Sequence, residues 1–139
     1  MENKGENMKK ISLIITGLLA VALFIGFGIQ VAQYYDNTYA ATRSYTKVPL
    51  EVPKREKTKD YNGKIVTGSY SYQYHFKFVN GDGEERSISF ELSGDNVEPF
   101  KPGEFLEADI SKTRVVKGPS SIEKDKIPKT LVKVIEKIQ

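Results

Sequence analysis

Residues 11–32, ISLIITGLLAVALFIGFGIQVA, hold no charged side chain, and Gln30 is their one strongly polar residue. As a helix they extend about 33 Å, against a hydrocarbon core of about 30 Å. A helix buried in a soluble fold this small is seldom apolar on every side. Gly17, Gly26 and Gly28 weaken a helix in water but are tolerated in lipid. The run is therefore expected to meet the lipid bilayer. It divides the chain into an N-region at 1–10, a transmembrane segment at 11–32 and a remainder at 33–139.

Lys9 and Lys10 abut the run, with Lys4, Glu2 and Glu6 ahead of them. The positive-inside rule keeps that end cytoplasmic and sends residues 33–139 outside. Two readings stay open: an uncleaved signal anchor in the cell membrane, or a cleaved signal peptide and a secreted product. A cleaved signal has an apolar region of about 7–15 residues and a small-x-small site just beyond it. The run here is longer, and neither Gln30-Val31-Ala32 nor Thr38-Tyr39-Ala40 is a good site, which favours the anchor. Tyr34 and Tyr35 follow the run and suit one membrane interface, as Lys9 and Lys10 suit the other. Gly26 and Gly28 do not form a GxxxG pair, so no helix dimer is expected from them.

The remainder has room for one small core. Tyr70, Tyr72, Tyr74, Phe76 and Phe78 fall on every second residue, with Ser71, Gln73, His75 and Lys77 between them. A period of two reads as a half-buried strand over 69–79. Asn80-Gly81-Asp82-Gly83 is a turn, and Ile88, Phe90 and Leu92 then alternate with Ser87, Ser89 and Glu91. The pair predicts a β-hairpin with an aromatic inner face that fills the core. Further strands are expected at 105–111 and 113–117, and an extended segment at 38–52, where Pro49 and Pro53 exclude a helix. Lys54–Lys64 and Ser93–Glu104 read as loops. After Pro128, Leu131, Val134, Ile135 and Ile138 recur at helical spacing, with Lys129, Lys133, Glu136 and Lys137 opposite, so a short amphipathic helix closes the chain. The sum is a mainly β fold: a five-stranded antiparallel barrel or sandwich with a C-terminal helix.

Composition narrows the chemistry. With no Cys and one His, thiol catalysis, disulfides and multi-His metal sites are excluded, so no metal and no cofactor is expected. His75 lies on the polar side of its strand without a second ligand type nearby. Ser69, Ser71, Ser87 and Ser89 sit in no nucleophile motif. The acidic pairs Glu84-Glu85, Glu107 with Asp109, and Glu123 with Asp125 fit a turn and solvated strand faces better than a cleft. Asn80–Glu84 lacks the full spacing of a calcium loop. No catalytic residue is expected and the chain reads as a non-enzyme; a small envelope hydrolase is the weaker reading. Lys54, Arg55, Lys57, Lys59 and Lys64, against Glu56 and Asp60, form a basic cluster. It is either a plain solvated loop or the ligand-binding surface for an anionic partner, an envelope polymer or lipid headgroups. The remaining partner class is a membrane protein. Nucleic acid is disfavoured because the domain should face outward.

Several stretches together resemble the YxeA-like family of small exported proteins from Gram-positive bacteria. They are the Lys-Lys start before one apolar run, the tyrosines after it, the aromatic hairpin with its NGDGEE turn, Ala108–Val116 (ADISKTRVV) and Glu123–Lys129 (EKDKIPK). The resemblance implies an OB-like barrel outside the membrane and no established activity. The Ser93–Glu104 link is too short and too rich in Pro and Gly for the helix that a standard OB-fold inserts there, so the helix is expected last. In OB-like folds the loop between the first two strands borders the binding face, which singles out Lys54–Lys64.

Overall fold

The computed structural model describes residues 2–38 and 40–139; Met1 and Tyr39 lie outside them. The tripeptide Thr38-Tyr39-Ala40, weighed above as a processing site, thus falls partly outside the described residues. The chain forms two compact units, Met1–Asn37 and Thr38–Gln139.

The first unit is one helix, α1 (Glu2–Thr38), long and apolar enough to cross a membrane. It continues past both ends of the apolar run, because the flanking residues ENKGENMKK and QYYDN contain no proline to stop it. Its residues from Asn3 to Asp36 are exposed, large apolar side chains included.

The second unit is a single antiparallel sheet: β1 (Thr42–Lys47), β2 (Glu56–Lys59), β3 (Ile65–Asn80), β4 (Glu85–Gly94), β5 (Phe105–Ile110) and β6 (Val115–Ser121). A 3₁₀ turn at Lys124–Lys126 and a helix, α2 (Lys129–Ile138), follow. The strand order is β2-β3-β1-β5-β6, with β4 also on β3. Strand β3 is therefore the hub. β4 pairs with residues 70–79 along one edge; β2 pairs near one end of the other edge and β1 at its far end.

Two expectations need correction. There are six strands, not five, and the sheet is open rather than a closed barrel, since β4 and β6 do not pair with each other. The additional strand β2 comes from the segment read as a loop. Its residues EKTK are nearly all exposed and show no apolar alternation, so the pattern that marks half-buried strands is missing. For the same reason β3 begins at Ile65, ahead of the aromatic stripe.

The core lies on one face of this sheet. Tyr72, Tyr74, Phe76 and Phe78 pack there with Ile88, Leu106, Ala108 and Ile110, and Phe90, Leu92, Val97 and Phe100 close over them. The rings interlock: Tyr74 stacks on Phe76 at 4.9 Å, and Phe76 meets Phe78 edge-on at 5.7 Å. No helix belongs to this cluster, yet Phe78 and Leu106 are fully buried. The strands must curl over their own side chains to achieve that, since an apolar face needs a second layer.

The opposite face is covered locally by α2. Leu131, Val132 and Ile135 bury against Val79, Phe105 and Ile127. The Pro128 carbonyl accepts the first helical amides, from Leu131 and Val132. At the far end the Lys77 ammonium, on the outer face of β3, donates to the Ile138 carbonyl at 2.9 Å. A cation there also meets the negative pole of the helix.

Candidate functional site

The basic residues singled out in the sequence fall along one arm, the hairpin of β2 and the start of β3: Lys57 and Lys59 lie in β2, Lys64 in the turn just before β3, and Lys54 and Arg55 just ahead of β2. The turn that makes it is set by Asp60. Its carboxylate accepts the backbone N–H groups of Asn62 and Lys64, each at 2.9 Å, while Asp60 N–H donates to the Lys64 carbonyl. The hairpin between β3 and β4 is built the same way. There the Asn80 side-chain oxygen accepts the amides of Asp82 and Glu84 at 3.0 and 2.9 Å. A short acceptor that reaches two and four residues ahead replaces ladder bonds that the turn cannot make.

The arm does not continue the sheet in simple register. Glu56 pairs with Ser71 and Lys57 with Tyr70, but Lys59 pairs with Ile65. The bulge takes up residues of β3 around Gly68, whose φ of +78° is a conformation that side-chain-bearing residues rarely adopt. Within it the Ser69 hydroxyl donates to the Thr58 hydroxyl at 2.9 Å.

Exposure on the arm is high. Lys54, Arg55, Lys57, Lys59 and Lys64 all face solvent. Arg55 is committed: its guanidinium lies over the Tyr70 ring, 3.8 Å from the centroid, and so covers the outer end of the aromatic stripe. None of the four lysines has a carboxylate partner among the described residues. The Asp60 charge is engaged by the turn. What sequence reading missed is the apolar share of the arm. Tyr61 at the tip is 97 % exposed, and Ile65 and Val66 are 53 % and 41 % exposed. In the sequence those three residues carry no signal apart from their neighbourhood to the lysines.

Other concave places are chemically quieter. A pocket of about 140 Å³ is lined by Arg43, Glu107, Asp109, Lys117 and Gly118. Its carboxylates are already spent: Arg43 Nε donates to Asp109 at 2.6 Å and Nη1 to Glu107 at 3.0 Å. Those two bonds and the negative charges hold the Arg43 pKa above its ordinary value. His75 is exposed and its Nδ1 lies 3.0 Å from the Ser89 hydroxyl, across the β3–β4 ladder. Ser71 is buried, whereas Ser87 and Ser89 are exposed on β4. No cluster of three His, Cys, Asp or Glu side chains able to hold a metal ion occurs among the described residues.

The residues expected at the membrane interfaces lie in the first unit. Lys9 and Lys10 occupy the second and third turns of α1, with the Lys10 ammonium 2.8 Å from Glu6, and Tyr34 and Tyr35 lie near its end.

Comparison with known families gives one match. The family described as "Protein of unknown function (DUF1093)" matches residues 37–125. That span takes in all six strands and the arm, and stops short of α2. No curated protein and no solved structure matches the chain.

Proposed function

The chain belongs to the DUF1093 family, and from that premise we propose that it is a single-pass cell-envelope protein whose β unit lies outside the membrane as a non-enzymatic binding or accessory module. The observation that carries this reading is the unbroken helix from Lys10 to Tyr34. Twenty-four residue steps span roughly 36 Å. That exceeds a hydrocarbon core of about 30 Å by enough to set the lysines in one headgroup layer and the tyrosines in the other. The resemblance to YxeA-like exported proteins of Gram-positive bacteria points the same way, and an open sheet with a filled interior is a modest departure from the OB-like barrel it implies.

The non-enzymatic part is supported by the fate of the polar groups. Of the aromatic stripe that could have served as a stacking platform, Tyr72, Tyr74, Phe76 and Phe78 are packed into the core, and Tyr70 is covered by Arg55. The paired carboxylates of Glu107 and Asp109 are neutralised by Arg43. The binding surface in this reading is the arm, with Lys54, Arg55, Lys57, Lys59 and Lys64 toward an anionic envelope polymer or lipid, or toward a membrane protein partner.

The test is cellular. Protease added to intact cells should degrade the β unit while the chain remains with membranes through an alkaline carbonate wash. Protection of the β unit would refute the orientation. A product in the medium whose intact mass begins after residue 32 would replace the anchored form with a secreted one, since a signal sequence near the N-terminus passes the same test of length and apolarity.

A further inference from the structure

We propose that the β2–β3 arm is a lipid-docking device: its lysines engage anionic headgroups and its tip enters the membrane interface. This rests on the membrane-anchored reading above and names the ligand of the same site.

The arm combines two kinds of group that a bilayer surface recognises together. Lys54, Lys57, Lys59 and Lys64 are exposed cations with no internal partner among the described residues. A basic residue near an anionic membrane surface contributes about fivefold to partition. Among these cations stand Tyr61, 97 % exposed, and the half-exposed Ile65 and Val66. A soluble polyanion such as a wall polymer has no use for the aliphatic Ile65 and Val66. An interface does, since a phenol ring sits at headgroup level and β-branched side chains gain by leaving water.

The arm is also prepared for the contact. Asp60 fixes the turn so that Tyr61 stands at the apex. Ordering the tip is therefore already accomplished before binding, which lowers the cost of docking. Only residues 39–41 lie between α1 and β1. On the proposed topology any contact of the arm with lipid is made by a tethered unit, where individually weak contacts suffice.

The test uses the full chain carrying Tyr61→Trp. The protein has no tryptophan, so the new indole is the sole reporter, and at so exposed a position it leaves the core intact. The chain is reconstituted into vesicles of phosphatidylcholine alone or mixed with phosphatidylglycerol; an arm on either side of the vesicle meets the same lipid. In the mixed vesicles the emission should shift to the blue and be quenched by lipids brominated near the headgroup, and raised salt should weaken both effects. Combined Lys57→Gln, Lys59→Gln and Lys64→Gln should lower the docked-to-free ratio about a hundredfold, at about fivefold for each lysine. Emission equal to that of a water-exposed indole in both vesicle types would overturn the proposal. A shift seen only when a soluble polyanion (polyglutamate) is added to phosphatidylcholine vesicles would overturn it in favour of a polymer. Loss of the chain from washed vesicles would instead strike the anchored reading.

Discussion

The Tyr74 hydroxyl accepts the backbone N–H of Phe100 at 3.0 Å, and the two rings lie 5.3 Å apart. This pair fastens the loop after β4 over the open end of the core. Tyr74→Phe keeps the ring and removes the acceptor, leaving one amide unpaired. It should cost about 1 kcal/mol of unfolding free energy, read as a lowered urea midpoint with an unchanged slope.

The same phenol links stability to alkaline pH. Burial pushes its pKa above the ordinary value, partly opposed by the bond from Phe100. The folded state therefore holds the proton more tightly than the unfolded chain. The associated stability is complete below about pH 10, where the unfolded phenol titrates, and is lost as pH rises through the raised folded value. Wild type should lose stability over this range, and Tyr74→Phe should lose measurably less. Urea midpoints recorded at stepped pH decide the matter.

At acid pH the informative group is Glu136. The hydrogen bond from the Lys124 ammonium, at 2.8 Å, holds its carboxyl below the usual range, with smaller help from Lys47. Here the sign reverses: the contribution is present above the ordinary carboxyl value of about 4.3 and disappears as pH falls through the lower folded one. Lys124→Met should return the Glu136 titration toward that ordinary value, as followed by NMR of the side-chain carboxyl carbon.

Asp60→Ala should loosen the arm without loosening the core. The substitution leaves the amides of Asn62 and Lys64 without their acceptor. By analogy with a lost helix cap the local cost is about 1 kcal/mol. Hydrogen exchange at those two amides should accelerate about fivefold, while exchange in β3 beyond Tyr72 stays as in wild type.

The parts of this architecture that the chain announces are those where one physical demand rules. A helix able to cross a bilayer demands an unbroken apolar run, and residues 11–32 supply one. A half-buried strand demands alternation, and Tyr70 to Phe78 supply it. Of those five rings four are buried in the core, whereas Tyr70 is only half-buried and is covered by Arg55 instead. Strand β2 was invisible because nothing about it is buried; its pairing is decided by a turn and a bulge that involve no apolar pattern. The open sheet was equally hard to foresee. Whether β4 and β6 meet depends on how far the strands curl, which no local pattern encodes. At the site, the lysines were legible as charge. Tyr61, Ile65 and Val66 acquired meaning only once their exposure was known.

A sheet that stops short of closing leaves strand edges with unpaired backbone donors and acceptors, and on the proposed membrane-anchored topology copies would collide far more often than in free solution. On β6 the rim is interrupted: Pro119 has no N–H to offer, and Lys117 and Gly118 precede it. A neighbouring molecule trying to extend the ladder from that side would meet a missing rung and a positive charge. The gap in closure is thus coupled to a safeguard against uncontrolled stacking of one copy on the next.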